Sequence, residues 1–157
     1  MRWMRCYYME LKQLYREIVN EHNLHPEHKH EIEGATFTLR GVNPTCGDDI
    51  TLKFKLDGDT IAEGAFTGTG CAISQASADM MIDACLGKTK AEAIALAENF
   101  MGMIRGEERT EEDIEALEEA AALQDIAHMP ARVKCAMLGW RTMKELLEGS
   151  TTDATTE

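Results

Sequence analysis

The chain has 157 residues, 44% hydrophobic and 28% charged, and a formal net charge of −12. That length suits one domain with a core of its own, and that charge repels phosphate backbones and anionic lipid, which leaves a metal cation or a basic protein as the better partner. No apolar run approaches the roughly 20 residues of a membrane span, and five cysteines without a C-x-x-C pair read as reduced cytoplasmic thiols or ligands rather than disulfides.

Residues 1–8 read as an N-terminal extension: they carry two arginines but neither the apolar stretch nor the cleavage site of a signal peptide. From Met9 onward a single domain is expected to run to residue 148. Leu11, Leu14, Tyr15, Ile18 and Val19 recur at helical spacing, which predicts an amphipathic first helix. Between His22 and His30 lie four of the five histidines, interleaved with Pro, Lys and Glu; a solvated linker is expected there. From Ala35 the period becomes two. Thr36 to Arg40 alternates weakly, and Ile50, Leu52, Phe54 and Leu56 mark one face of a second strand. Asp57-Gly58 is a hairpin signal, and Thr60 to Thr67 makes a third strand.

Helices follow. Ala72 to Leu86 stops at Gly87, and Thr89-Lys90-Ala91-Glu92 is a capping box opening the next helix, which stops at Gly106. Residues 107–119 hold seven Glu and one Asp, a solvated face. Ile114, Leu117 and Leu123 are spaced so that this segment still packs on something. Pro130 opens the last helix, and residues 149–157 form a polar, flexible tail. Met101, Met103, Met129 and Met137 are expected in the core. The order predicts an α+β domain: a three-stranded antiparallel sheet with helices packed on one face.

Three cysteines occupy special backbone positions. Cys46 lies with Asp48 in a turn made by Pro44 and Gly47. Cys71 follows Gly68 and Gly70 at a strand-to-helix junction, where free N–H groups and the helix dipole favour a thiolate. Cys135 sits in the first turns of the last helix between Arg132 and Lys134 on one side and apolar residues on the other, so the adjacent cations favour thiolate there too. Cys85, among Met81, Ile82 and Leu86, reads as core, and Cys6 has no role. Cys46, Asp48, Cys71 and Cys135 make a Cys3Asp set, the usual ligand count for tetrahedral zinc and for many iron–sulfur sites. Their separations are too long for a zinc ribbon, so the fold must assemble the site.

At these residues the chain resembles the SufU/IscU/NifU N-terminal family of iron–sulfur cluster assembly. The matching text is Asn43-Pro44-Thr45-Cys46-Gly47-Asp48, Gly68-Thr69-Gly70-Cys71-Ala72-Ile73-Ser74 with Ala76-Ser77, and Ala131-Arg132-Val133-Lys134-Cys135-Ala136-Met137-Leu138-Gly139-Trp140. The likeness spans about residues 9 to 148. It implies an α+β fold with the site at one end of the sheet, a SufS-type cysteine desulfurase as partner and a downstream iron–sulfur scaffold as recipient. Lys134 stands where scaffold members carry a histidine, and an acidic insert covers about residues 106 to 128; both features resemble SufU. The resemblance therefore implies a zinc-dependent sulfurtransferase, with zinc on Cys46, Asp48, Cys71 and Cys135. Cys46 is the expected persulfide acceptor because its turn can swing outward, and Arg132 and Lys134 are auxiliary, steadying the persulfide or holding Asp48. A cluster scaffold on the same four residues and a non-catalytic zinc-stabilised module are the alternatives.

Overall fold

The computed structural model describes Gln13, residues 15–149 and the backbone of residues 154–155. The proposed extension, with Cys6, lies outside the described residues. Helix α1 covers residues 15–24 and buries Val19 against the core. Strands β1 (Phe37–Asn43), β2 (Asp48–Asp57) and β3 (Thr60–Thr69) form the expected antiparallel meander. Alternation places Ile50, Leu52 and Phe54 of β2 inward, each essentially inaccessible to water, while Lys55 faces out. Gly58 takes φ +63° in the tight β2–β3 turn, a conformation that glycine adopts without a Cβ penalty.

Two features of the sheet go beyond the expected pattern. β1 runs three residues further, through Gly41-Val42-Asn43, with Asn43 paired to Asp48. Ala154–Thr155 adds a short fourth strand, β4, parallel to β1 at Gly41 and Val42, so part of the tail joins the sheet. The strand order is β3-β2-β1-β4.

Helices α2 (Ala72–Cys85) and α5 (Pro130–Leu147) pack on the apolar face of the sheet and on each other, and α3 (Lys90–Ile104) packs behind α5. Ser77 Oγ locks α2 to α5: it donates to the Ala136 carbonyl at 2.7 Å and accepts from Trp140 Nε1 at 3.0 Å. Trp140 stacks on Phe100 of α3 with ring centroids 4.3 Å apart. Thr89 and Glu92 close the capping box at the start of α3. The acidic segment divides into α4 (Glu111–Ala116) and a 3-10 helix (Glu118–His128), separated at Glu118, where φ is +54°. Leu117, Leu123 and Ile126 are buried beneath it, so the segment does pack, charged side outward.

The histidine stretch is not a solvated linker throughout. His22 is 8% exposed; its Nδ1 meets Asp79 Oδ2 at 2.6 Å and its Nε2 meets Glu119 Oε2 at 2.8 Å. His28 Nε2 meets Asp83 Oδ1 at 2.6 Å, and the His28 backbone N–H donates to Asp79 Oδ1 at 2.9 Å. The next residues run beside β3, where Phe66 N–H donates to the His28 carbonyl at 2.8 Å. These contacts tie α1 and the stretch after it to α2, β3 and the 3-10 helix; His25 and His30 are exposed. Of the four methionines expected in the core, Met101, Met103 and Met137 are buried, whereas Met129 is 46% exposed at the N-cap of α5.

Candidate metal centre

The site forms where β1, β2, α2 and α5 meet at one end of the sheet. The β1–β2 turn, residues 44–47, closes with Gly47 N–H donating to the Asn43 carbonyl at 3.0 Å, with Gly47 at φ +74°. Cys46 is exposed on this turn. Asp48 is the first residue of β2 and shares the inward row with Ile50, Leu52 and Phe54, so its carboxylate is fully buried. Cys71 is the N-cap of α2, its Sγ accepting from Ser74 N–H at 3.4 Å. Cys135 lies in the second turn of α5 and is buried.

One ligand atom each from Cys46, Asp48 and Cys135 lies within 4.8 Å of the other two. Cys71 stands beside this triad: its backbone N–H donates to Asp48 Oδ1 at 2.9 Å, and its thiol adjoins that of Cys135. The four residues picked out from the sequence therefore share one end of the sheet, three in a close group and the fourth at its flank.

Burial raises the Asp48 pKa, but hydrogen bonds from the Cys71 N–H, the Cys135 thiol, Asn43 and Ser74 outweigh it, and the carboxyl is held below its ordinary range. Asn43 Nδ2 reaches Asp48 Oδ2 at 3.1 Å, and Ser74 Oγ reaches Oδ1 at 3.1 Å. Close packing keeps this geometry tight, since a Cβ on Gly70 would lie 2.4 Å from Ser74 Oγ and 2.9 Å from Asp48 Oδ1. The donors to Asp48 thus come from Asn43, Ser74, Cys71 and Cys135, not from Arg132 or Lys134.

Cys135 departs from expectation. Its thiol is pushed far up, first by burial, then by hydrogen bonds with Cys46 and Asp48 and the charge of Cys71. Arg132 does reach this sulfur, but burial and the acidic neighbours outweigh that cation. Arg132 is exposed, and its guanidinium is raised by the Cys71 charge first, then by Cys135 and Cys46; it overlooks all three sulfurs. Lys134 is exposed on α5. Cys85 behaves as core: it is buried against Met143 Sδ at 3.5 Å, and burial pushes its thiol up to about 12.

The donor set fits a metal ion. An ionised buried carboxylate and adjoining thiols crowd a small volume, and they can ionise together only if a cation offsets their repulsion. Two soft sulfurs with one hard oxygen suit zinc and iron alike. Asn43 turns its Nδ2 to Asp48 and Cys135, and its Oδ1 is buried without a hydrogen-bond partner. Sequence reasoning assigned no role to Asn43 or Ser74. Asn43 continues the inward row of 37, 39 and 41 on β1, but neither Gly41 nor Asn43 is apolar, so the sequence alone carried no signal for it.

With this geometry in place, the class is defined: residues 14–136 match the family described as "NifU-like N terminal domain". The chain belongs to that family of iron–sulfur cluster assembly proteins. It is 42% identical over 141 residues to the iron–sulfur cluster assembly scaffold protein IscU of Streptococcus pyogenes serotype M1, covering 90% of this chain and 87% of that one. It is 38% identical over 135 residues to the zinc-dependent sulfurtransferase SufU of Bacillus subtilis strain 168, covering 86% and 90%. The crystal structure of a putative iron–sulfur cluster assembly scaffold protein for the SUF system from Fervidobacterium islandicum AW-1 superposes with a TM-score of 0.79 at 38% identity, over 83% of this chain and 94% of that one. Among the described residues no helix is long and apolar enough to cross a membrane.

Proposed function

We propose that this chain is a zinc-holding sulfur acceptor in iron–sulfur cluster biogenesis, taking persulfide sulfur from a SufS-type cysteine desulfurase and passing it to a downstream assembly scaffold. The observation that carries the reading is the contrast within the triad: Cys46 is exposed on a turn, whereas Asp48 and Cys135 are buried beneath it. The similarity to a relative named a zinc-dependent sulfurtransferase supports it. Cys46, Asp48, Cys71 and Cys135 would hold the zinc, which supplies a redox-inert positive charge that keeps thiolates deprotonated and protected.

Cys46 is the acceptor in this reading. Its thiolate attacks the outer sulfur of the persulfide on the partner; a new S–S bond forms as the old one breaks. The partner's cysteine leaves as a thiolate with the electron pair, so sulfur moves without net oxidation. Arg132, beside all three sulfurs, offers a positive charge to the incoming persulfide. Lys134 adds charge on the same exposed end of α5 without contacting Asp48. Asp48 and Cys135 stay behind, anchored by β2 and α5.

The second reading, a scaffold that builds the cluster on the same residues, is favoured by the 42% identity to a relative named as such a scaffold. Metal analysis of purified protein separates the two: colourless protein with one bound zinc supports the acceptor, and visible iron–sulfur absorption supports the scaffold. Desulfurase turnover, measured with and without this protein, tests the acceptor directly. Stimulation that Cys46→Ala abolishes is expected, and stimulation undiminished in Cys46→Ala contradicts it.

A further inference from the structure

Asn43 ends β1 on its inward face, fully buried and in register with Asp48. A primary amide in such a place is costly unless its polar atoms are bonded. Its Nδ2 donates to Asp48 Oδ2 at 3.1 Å and to Cys135 Sγ at 3.7 Å, while Oδ1 is left without a partner. The reverse flip of the amide would set Oδ1 against a carboxylate oxygen, acceptor against acceptor. The observed orientation therefore serves the site at the expense of Oδ1.

Lone-pair accounting sharpens this. Asp48 Oδ1 already accepts from the Cys71 N–H and Ser74 Oγ, which uses its two lone-pair positions. Oδ2 accepts from Asn43, so its other position is the one open to the Cys135 thiol, which also bonds this carboxylate, or to a metal that displaces the thiol's proton. An N–H···S contact draws electron density from a thiolate and makes it a weaker nucleophile. Cys135 receives such a contact from Asn43. Cys46 instead lies exposed, its Sγ 3.9 Å from the Ala131 carbonyl, an acceptor rather than a donor.

We propose that Asn43 is a positioning residue that turns Asp48 Oδ2 toward the sulfurs and quiets Cys135, leaving Cys46 as the sulfur that reacts. This rests on the reading of the site as a metal-holding acceptor. One buried amide, itself no ligand, then decides which ligands stay and which one works.

The test compares wild type, Asn43→Ala and the volume-filling Asn43→Leu. Ser77→Ala serves as control, because it removes a buried hydrogen bond between α2 and α5 that goes to the Ala136 carbonyl and not to Asp48 or a candidate ligand sulfur. Metal-free melting curves report folding. Competition with a chromophoric chelator reports zinc affinity, and visible spectra of cobalt(II)-loaded protein report the ligand field. Alkylation of zinc-loaded protein, mapped by mass spectrometry, reports which cysteine reacts. Both Asn43 variants are expected to bind zinc about 10- to 100-fold more weakly, with shifted cobalt bands and a narrowed preference for Cys46 over Cys135, while Ser77→Ala binds as wild type does. Unchanged affinity and spectrum in a folded Asn43→Leu, or an equal loss in Ser77→Ala, overturns the inference alone. Failure of wild type to take up any metal overturns the reading beneath it as well.

Discussion

At the scale of single residues, the site is a problem in charge density. Asp48 is kept ionised by donors although burial opposes it, and Cys135 is kept protonated by burial first and then by its contacts with Cys46, Asp48 and Cys71. A cation resolves both at once. Gly70 is part of the solution, because any Cβ there would press on Ser74 Oγ and Asp48 Oδ1. Gly70→Ala is expected to lower zinc affinity although Gly70 donates nothing, with a stability loss of about 1–3 kcal/mol from overpacking; chelator competition and denaturant melts check both. The four candidate ligands were legible in the sequence because turn, N-cap and helix-start positions leave local signatures. The protonation of Cys135 was not, because its burial and its contacts with Cys46 and Asp48 arise only in the fold and outweigh the cations that flank it in the chain.

At the scale of elements, strands β2 and β3 were readable from alternation, but the end of β1 was hidden. Gly41 and Asn43 carry no apolar signal, and Gly41 is there for contact: a Cβ would fall 2.0 Å from Thr142 Oγ1 of α5. The histidine contacts were equally invisible, since His22 and Asp79 are 57 residues apart. A neutral imidazole can donate only once, so carboxylates on both ring nitrogens of His22 call for the charged form. Burial lowers the His22 pKa, but hydrogen bonds to Asp79 and Glu119 outweigh it and the net shift is upward from 6.5. The stability this contributes is fully present below the unfolded value and is lost as pH rises through the raised folded value. His22→Gln is therefore expected to cost most on the acid side of that window, about 3–5 kcal/mol where Asp79 is left uncompensated, and less at higher pH. Denaturant melts across pH 5 to 9 (roughly 1.5 units below to 2.5 above the ordinary histidine value) check the slope; a cost that does not change with pH contradicts the charged clamp.

At the scale of the whole molecule, the metal site and the core are separate structures. Phe54, Phe66, Phe100 and Trp140 are buried between sheet and helices, whereas the candidate ligands occupy one end. Stripping the metal is thus expected to lower the melting temperature without unfolding the chain. The stabilisation on adding zinc back follows mass action, about 2.7 kcal/mol at a free concentration 100 times the dissociation constant. Circular dichroism of chelator-treated protein checks this, and unfolding at room temperature would instead favour the zinc-stabilised module. The net charge of −12 also predicts that association with a desulfurase presenting a basic surface slows as salt is raised, which stopped-flow binding at two ionic strengths checks.

The acceptor role itself comes down to where sulfur lands. Zinc-loaded protein is incubated with desulfurase and cysteine, trapped by alkylation, digested and read by mass spectrometry. One added sulfur atom on the peptide carrying Cys46, absent when the desulfurase is omitted, is the predicted result; sulfur on Cys71 or Cys135 instead, or on none of the three, would contradict it.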